Sequence, residues 1–137
     1  MGIRKFTWPS KAVWVNGSGS DLFFAMSPLM DSARIGSVRP SIEMCQSTGD
    51  ITMEPAYRVT NDGLTYGSIQ YLDDQSSQPV ATLGADGVDY ASEFVDITSQ
   101  TDTKILIEFG VAVKNTSGAS SANEMCYASL RMDIREP

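Results

Sequence analysis

A chain of 137 residues, 42% of them hydrophobic, has the size of one domain and can bury about two thirds of the surface that its unfolded form exposes. Ten Lys and Arg against 17 Asp and Glu leave a formal charge of −7; this argues against nucleic acid or an anionic membrane as partner, because a phosphate lattice attracts clustered cations. Histidine is absent, which removes the usual general base near neutral pH, the commonest metal ligand and the centre of Ser/His/Asp or Cys/His nucleophile systems.

The first fifteen residues mix Ile3, Phe6, Trp8 and Trp14 with Arg4, Lys5 and Lys11, and Pro9 interrupts them. Strand-like runs at 3–8 and 12–15 make this segment either an edge strand of the protein's own sheet or an arm that lies on a neighbour, where Trp and Arg commonly anchor interfaces. The first apolar run, 12–15, is too short for a secretory core or a membrane helix, so synthesis in the cytosol is expected.

A strand follows at 22–26, and the stretch 27–40 is ambiguous: after Pro28, the residues from Leu29 to Arg34 suit one helical turn in a sheet connection. Strands at 41–47 and 51–60 flank Thr48 and Gly49. That spacing predicts a tight hairpin with Met44 opposite Met53, Glu43 opposite Glu54 and Arg39 opposite Arg58. Shorter strands are expected at 67–72, 80–83 and 94–98, with a polar loop over 73–79. Asp86-Gly87-Val88-Asp89 does not match a helix-loop calcium pattern and reads as an Asp-Gly turn.

Two long alternating patterns close the chain, at 104–114 and 124–134. Ile105, Ile107, Phe109, Val111 and Val113 share one face, as do Cys126, Ala128, Leu130, Met132 and Ile134; a period of two means half-buried strands. As neighbours these strands would set Val113 against Cys126, Phe109 against Leu130, Ile105 against Ile134 and Glu108 against Arg131. Such pairing favours an immunoglobulin-like topology, since the last two strands of a jelly roll belong to different sheets.

Ten short elements with frequent Gly, Pro, Asn, Asp and Ser, no repeat and no linker predict a single all-β domain over residues 1–137. It is expected to be a two-sheet sandwich, with a jelly roll as first choice and an immunoglobulin-like topology as the alternative. Residues 1–15 are a docking arm in the second reading of that segment.

The chemistry available is sparse. No Gly-x-x-x-x-Gly-Lys-Ser/Thr loop and no Gly-x-Gly-x-x-Gly turn occurs to cradle phosphates. Cys45 and Cys126 have no metal-type spacing and read as two reduced, packed thiols. The expectation is therefore a protein with no cofactor, no metal and no enzymatic activity. Its one catalytic alternative is a glycosidase working through Glu43 and Glu54, if those carboxyls stand side by side.

Surface patterning carries more. From residue 59 to 103 there are eight carboxylates and no Lys or Arg, whereas Arg4, Lys5 and Lys11 all precede the first acid, Asp21. This is either a basic entry with a solvated acidic rim, or a pair of opposite poles through which neighbouring copies attract one another. Met125 and Tyr127 share the outward parity of Arg131 and Asp133, and Tyr and Met are enriched where proteins meet. The candidate interface is Ile3, Arg4, Lys5, Phe6, Trp8, Lys11, Met125 and Tyr127. Coplanar exposed rings would instead make a sugar-stacking platform.

As a whole, a compact all-β chain with an apolar and basic start and long closing strands such as Ile105-Leu106-Ile107-Glu108-Phe109-Gly110-Val111-Ala112-Val113 resembles the small decoration or cement proteins of tailed bacteriophage capsids. The resemblance implies binding to the outside of a major capsid protein lattice, as a dimer or trimer, with stabilisation as the function. It also implies a location on the virion exterior after synthesis in the host cytoplasm, and no nucleic-acid or membrane partner. A carbohydrate-binding or tail-associated β-sandwich module is the non-enzymatic alternative.

Overall fold

The structure is a computed structural model, and it describes residues 2–16, 22–46, 51–72, 86–90, 94–97, 105–115 and 123–137. Among the described residues ten strands run in chain order: β1 (Ile3–Asn16), β2 (Leu22–Ala25), β3 (Met30–Asp31), β4 (Ser37–Gln46), β5 (Ile51–Thr60), β6 (Gln70–Tyr71), β7 (Asp86–Tyr90), β8 (Val95–Asp96), β9 (Leu106–Asn115) and β10 (Asn123–Arg135). The helical turn expected after Pro28 is a 3-10 turn, Ser32–Arg34, started by the Asp31 carboxylate, which accepts a hydrogen bond from the Ala33 amide at 3.0 Å.

The strands form two antiparallel sheets. The first has the order β1-β10-β4-β7, with β8 also beside β4; the second has the order β2-β9-β5-β6, with β3 also beside β9. Chain neighbours repeatedly change sheet, β1 to β2, β4 to β5 and β9 to β10. That alternation is the jelly-roll arrangement, and the immunoglobulin-like alternative is set aside.

Alternation explains the core. Ile107, Phe109, Val111 and Val113 from β9 and Cys126, Ala128, Leu130, Met132 and Ile134 from β10 are all buried, facing each other with Val38, Ile42, Ile51, Met53 and Tyr57. Apart from Ile105, which is half-buried just before β9, the expected faces were therefore those that enter the core, while the expected partners were not. β9 and β10 lie in different sheets, so Glu108 stands opposite Arg58 on β5, and Arg131 stands between Thr7 on β1 and Ser41 on β4. Facing apolar surfaces across a sandwich satisfies the same periodicity as lateral pairing, and periodicity alone does not distinguish the two.

The hairpin expected around Thr48 and Gly49 fails for the same reason. β4 pairs with β10 and β5 with β9, so Glu43 stands opposite Ser129 and Glu54 opposite Ala112. Thr48 and Gly49 themselves lie outside the described residues, as do the strand expected at 80–83 and the loop at 73–79. Asp86 and Gly87, read as a turn, instead begin β7, where Asp86 pairs with Cys45 and Gly87 with Met44. Ladder formation beside β4 outweighs the local turn preference of Asp-Gly.

Two polar contacts complete the framework. Between β2 and β3 the chain leaves the ladder, and the buried Ser27 hydroxyl accepts the Phe109 amide at 2.8 Å, keeping a central donor satisfied. The Asn115 side chain, fully buried, donates to the Val15 carbonyl at 3.0 Å and ties β9 to β1 across the layers.

Candidate functional site

β1 is an edge strand that pairs with β10 from Ile3 opposite Arg135 to Asn16 opposite Asn123, with a shift between Trp8 and Lys11. Pro9 falls in that shift and has no amide to donate to a ladder, and the bulge changes which parity faces inward. Before it, Phe6 and Trp8 are half-buried against the core: Phe6 stacks on Trp8 at 5.7 Å, and Trp8 stacks on Phe109 at 6.2 Å. After it, Val15 is buried and Trp14 points out, 57% exposed.

The outer face of β1 and β10 consequently divides into two ends. At one end Ala12 stands opposite Tyr127 and Trp14 opposite Met125. Tyr127 is 49% exposed, Ala12 is exposed and Met125 is half-buried, so two large rings lie diagonally across one strand pair and face solvent. Toward the other end Ile3, Lys5, Arg131 and Arg135 are exposed. There Asp133 takes the Arg39 guanidinium at 2.8 Å, and Phe94 lies beneath both Arg39 and Arg135, whose guanidinium carbons are 4.7 and 3.9 Å from its ring centroid.

The residues singled out by sequence thus occupy three places. Ile3, Lys5, Met125 and Tyr127 are on the outer face; Phe6 and Trp8 turn inward; Arg4 sits at the end of the sandwich. Arg4 donates to the Arg34 carbonyl at 3.1 Å and lies 3.9 Å from Glu136, which Arg34 also pairs at 3.1 Å. Lys11 stands opposite Ala128 just past the bulge. Trp14 was absent from the candidate set, and the signal that could have placed it there was Pro9, which resets the strand parity.

The second sheet treats its outer aromatics differently. Phe23 packs over Gly110, where an added Cβ would lie 2.9 Å from the ring's Cζ and would collide with the Phe24 carbonyl oxygen. The Arg58 guanidinium carbon is 4.7 Å from the Phe23 centroid and 3.9 Å from that of Tyr66, and its Nε pairs with Glu108 at 2.9 Å. One cation therefore covers two rings and neutralises a carboxylate that is only 12% exposed.

Beside Tyr66, the turn at 61–65 is held by its own side chains. The Asp62 carboxylate accepts the amides of Thr65 at 2.7 Å and Leu64 at 2.8 Å, and the Thr60 hydroxyl at 3.0 Å. These donors, the backbone amides first, hold the Asp62 carboxyl down at about 2. Gly63 has φ of 75°, a left-handed conformation that suits glycine. In the core, burial pushes the Tyr57 phenol up to about 12.

No arrangement for acid–base chemistry assembles from the suspected pair, because Glu43 and Glu54 are on strands of different sheets with no ladder between them. Among the described residues no group of three or more His, Cys, Asp and Glu side chains could hold a metal ion. Cys126 is a buried free thiol.

No family model matches the chain, and no curated protein matches it. Solved structures do. Chains of infectious bursal disease virus superimpose on 97% of this one: from T=1 particles derived from that virus, with a TM-score of 0.63 and 13% identity; from its Gt strain, with 0.62 and 12%; and from the T13 viral particle, with 0.61 and 12%. The present chain spans about a third of their length, 32%, 33% and 31% respectively. At that identity the likeness shows the fold, a β-sandwich of the kind found in viral capsid jelly rolls.

Proposed function

We propose that this protein is a structural, non-enzymatic component of a viral capsid, acting on the virion exterior as a decoration or cement protein of a tailed-bacteriophage type. The observation that carries the capsid role is the match of 97% of the chain to a domain-sized part of chains from virus particles. The decoration role rests on the sequence resemblance and on the open aromatic face around Trp14 and Tyr127. A protein that binds only the assembled shell stabilises it by mass action, and many symmetric copies multiply a modest contact. No covalent step is required.

The test is to mix the purified chain with purified capsids that lack a decoration protein, then to follow co-sedimentation, particle images and the thermal release of capsid contents. Saturable attachment at symmetry-related sites with a raised release temperature is the expected result. Closure of the chain into empty shells on its own would replace decoration by shell formation and leave the capsid role standing. Tight binding of a defined glycan to the Trp14 and Tyr127 face, with no attachment to any particle, would sink both in favour of a sugar-binding module.

A further inference from the structure

We infer that the Asp62–Gly63 peptide is a latent site of succinimide closure, and through it of isoaspartate, which the Thr60 hydroxyl holds shut in the folded chain.

The hazard is chemical. An aspartate followed by glycine is the pair at which the next amide nitrogen most readily reaches the side-chain carboxyl, because glycine has no Cβ to obstruct the approach. The chain has two such pairs, Asp62-Gly63 and Asp86-Gly87. The second lies in β7, laddered to β4, whereas the first is in a turn with Asp62 exposed. In the closing step the Gly63 nitrogen bonds to Asp62 Cγ, and its proton leaves with the carboxyl OH as water. A second water then opens the ring. Entering at Cγ it restores aspartate; entering at the main-chain carbonyl it leaves the chain running through Cγ as isoaspartate. The mass returns to its starting value, and no oxidant or cofactor takes part.

The turn has a use for both residues of the labile pair. Gly63, with φ of 75°, occupies a conformation in which a side chain is strained, and the Asp62 carboxylate satisfies the Leu64 and Thr65 amides. Protection therefore comes from what holds the pair. Thr60, 3% exposed at the end of β5, is fixed by its ladder to Leu106 and its bridge to Tyr66. Its hydroxyl oxygen accepts the Gly63 amide at 3.0 Å and the Asp62 amide at 3.3 Å, and its proton goes to Asp62 Oδ1 at 3.0 Å. One buried group thus grips both the nitrogen that would attack and the carboxylate that would be attacked. Closure requires that nitrogen to leave Thr60 and the carboxylate to give up three donors. The same donors hold the carboxyl down at about 2, so little of it is the neutral acid that loses water. Conversion would lengthen the main chain by a carbon and draw the carboxylate away from its amides, in the turn that leads to Tyr66 against Arg58.

Incubation of the full chain at one mildly acidic pH and one temperature, followed by peptide mapping with electron-transfer fragmentation, reads isoaspartate at position 62. Folded wild type should accumulate it at least about tenfold more slowly than wild type unfolded in guanidinium chloride, a comparison that needs no variant. Thr60→Val, which keeps the shape and removes the hydroxyl, should raise the rate in the folded chain about tenfold, whereas Thr60→Ser should stay within about twofold of wild type. Asp86-Gly87, read in the same digests, should differ little between wild type and Thr60→Val. Folded wild type that isomerises at position 62 as fast as the unfolded chain would overturn the inference. So would a Thr60→Val chain that circular dichroism shows folded and that isomerises no faster than wild type. A parallel rise at positions 62 and 86 in that folded variant would trace the effect to general opening of the sandwich and reject the Thr60 lock as well.

Discussion

On the outside of the second sheet Phe23 packs against Gly110 and the Arg58 guanidinium, Tyr66 also lies against that guanidinium, and Glu108 neutralises it. On the outside of the first sheet Trp14 and Tyr127 are about half exposed, and no such cover is found among the described residues. Both surfaces belong to one sandwich and both carry aromatic rings, so amino-acid composition does not account for the contrast. What differs is the local cover: Arg58 lies against Phe23 and Tyr66, whereas no guanidinium among the described residues lies over Trp14 or Tyr127. A ring left in water costs hydrophobic free energy of about 25 cal/mol per Å², which an association recovers.

Substitutions can break this comparison in order of expected size. Gly110→Val would force a side chain into the Phe24 carbonyl and the Phe23 ring, and should lower unfolding free energy by about 3 kcal/mol, measured by urea titration. Arg58→Ala removes the cover from two rings and leaves Glu108 unpaired at a mostly buried position. A loss of about 2 kcal/mol is expected in the same titration, with Arg58→Lys retaining part of it.

On the open face the expected result is close to zero. Trp14→Ser and Tyr127→Ser should each change the stability of the dilute chain by no more than about 0.5 kcal/mol, because exposed side chains without internal partners contribute little. A loss as large as that of Arg58→Ala would mean that the rings serve the fold rather than a partner. The smallest effect concerns the turn beside Tyr66. Since the Asp62 carboxyl is lowered from 3.8 to about 2, its contribution is complete above pH about 4 and is lost as pH falls through about 2. Amide resonances of Leu64 and Thr65 should titrate with a midpoint near 2, and Asp62→Asn should abolish that titration.

The faces of the closing strands were legible from alternation alone: the positions from Ile107 to Val113 and from Cys126 to Ile134 that the period of two assigns inward are buried. The sandwich class was legible as well. Strand partners were not, because Met44 with Met53 and Val113 with Cys126 satisfy the apolar pattern as neighbours in a sheet or as facing residues across the core. The same ambiguity created the apparent glutamate pair, which the topology separates. Trp14 was legible as part of a possible arm but not as an outward ring, since the register shift around Pro9 reverses the parity between Trp8 and Trp14.

Residue order by itself determined the period-two strands, the acidic stretch from 59 to 103 and the lack of histidine, because these depend on spacing and composition. Tertiary structure decided which strands lie side by side, which rings Arg39 and Arg58 cover, and which remain open to solvent. Those outcomes depend on contacts between positions far apart in the chain, Ile3 with Arg135, Asn115 with Val15 and Arg39 with Asp133 among them, and no local pattern encodes such a choice.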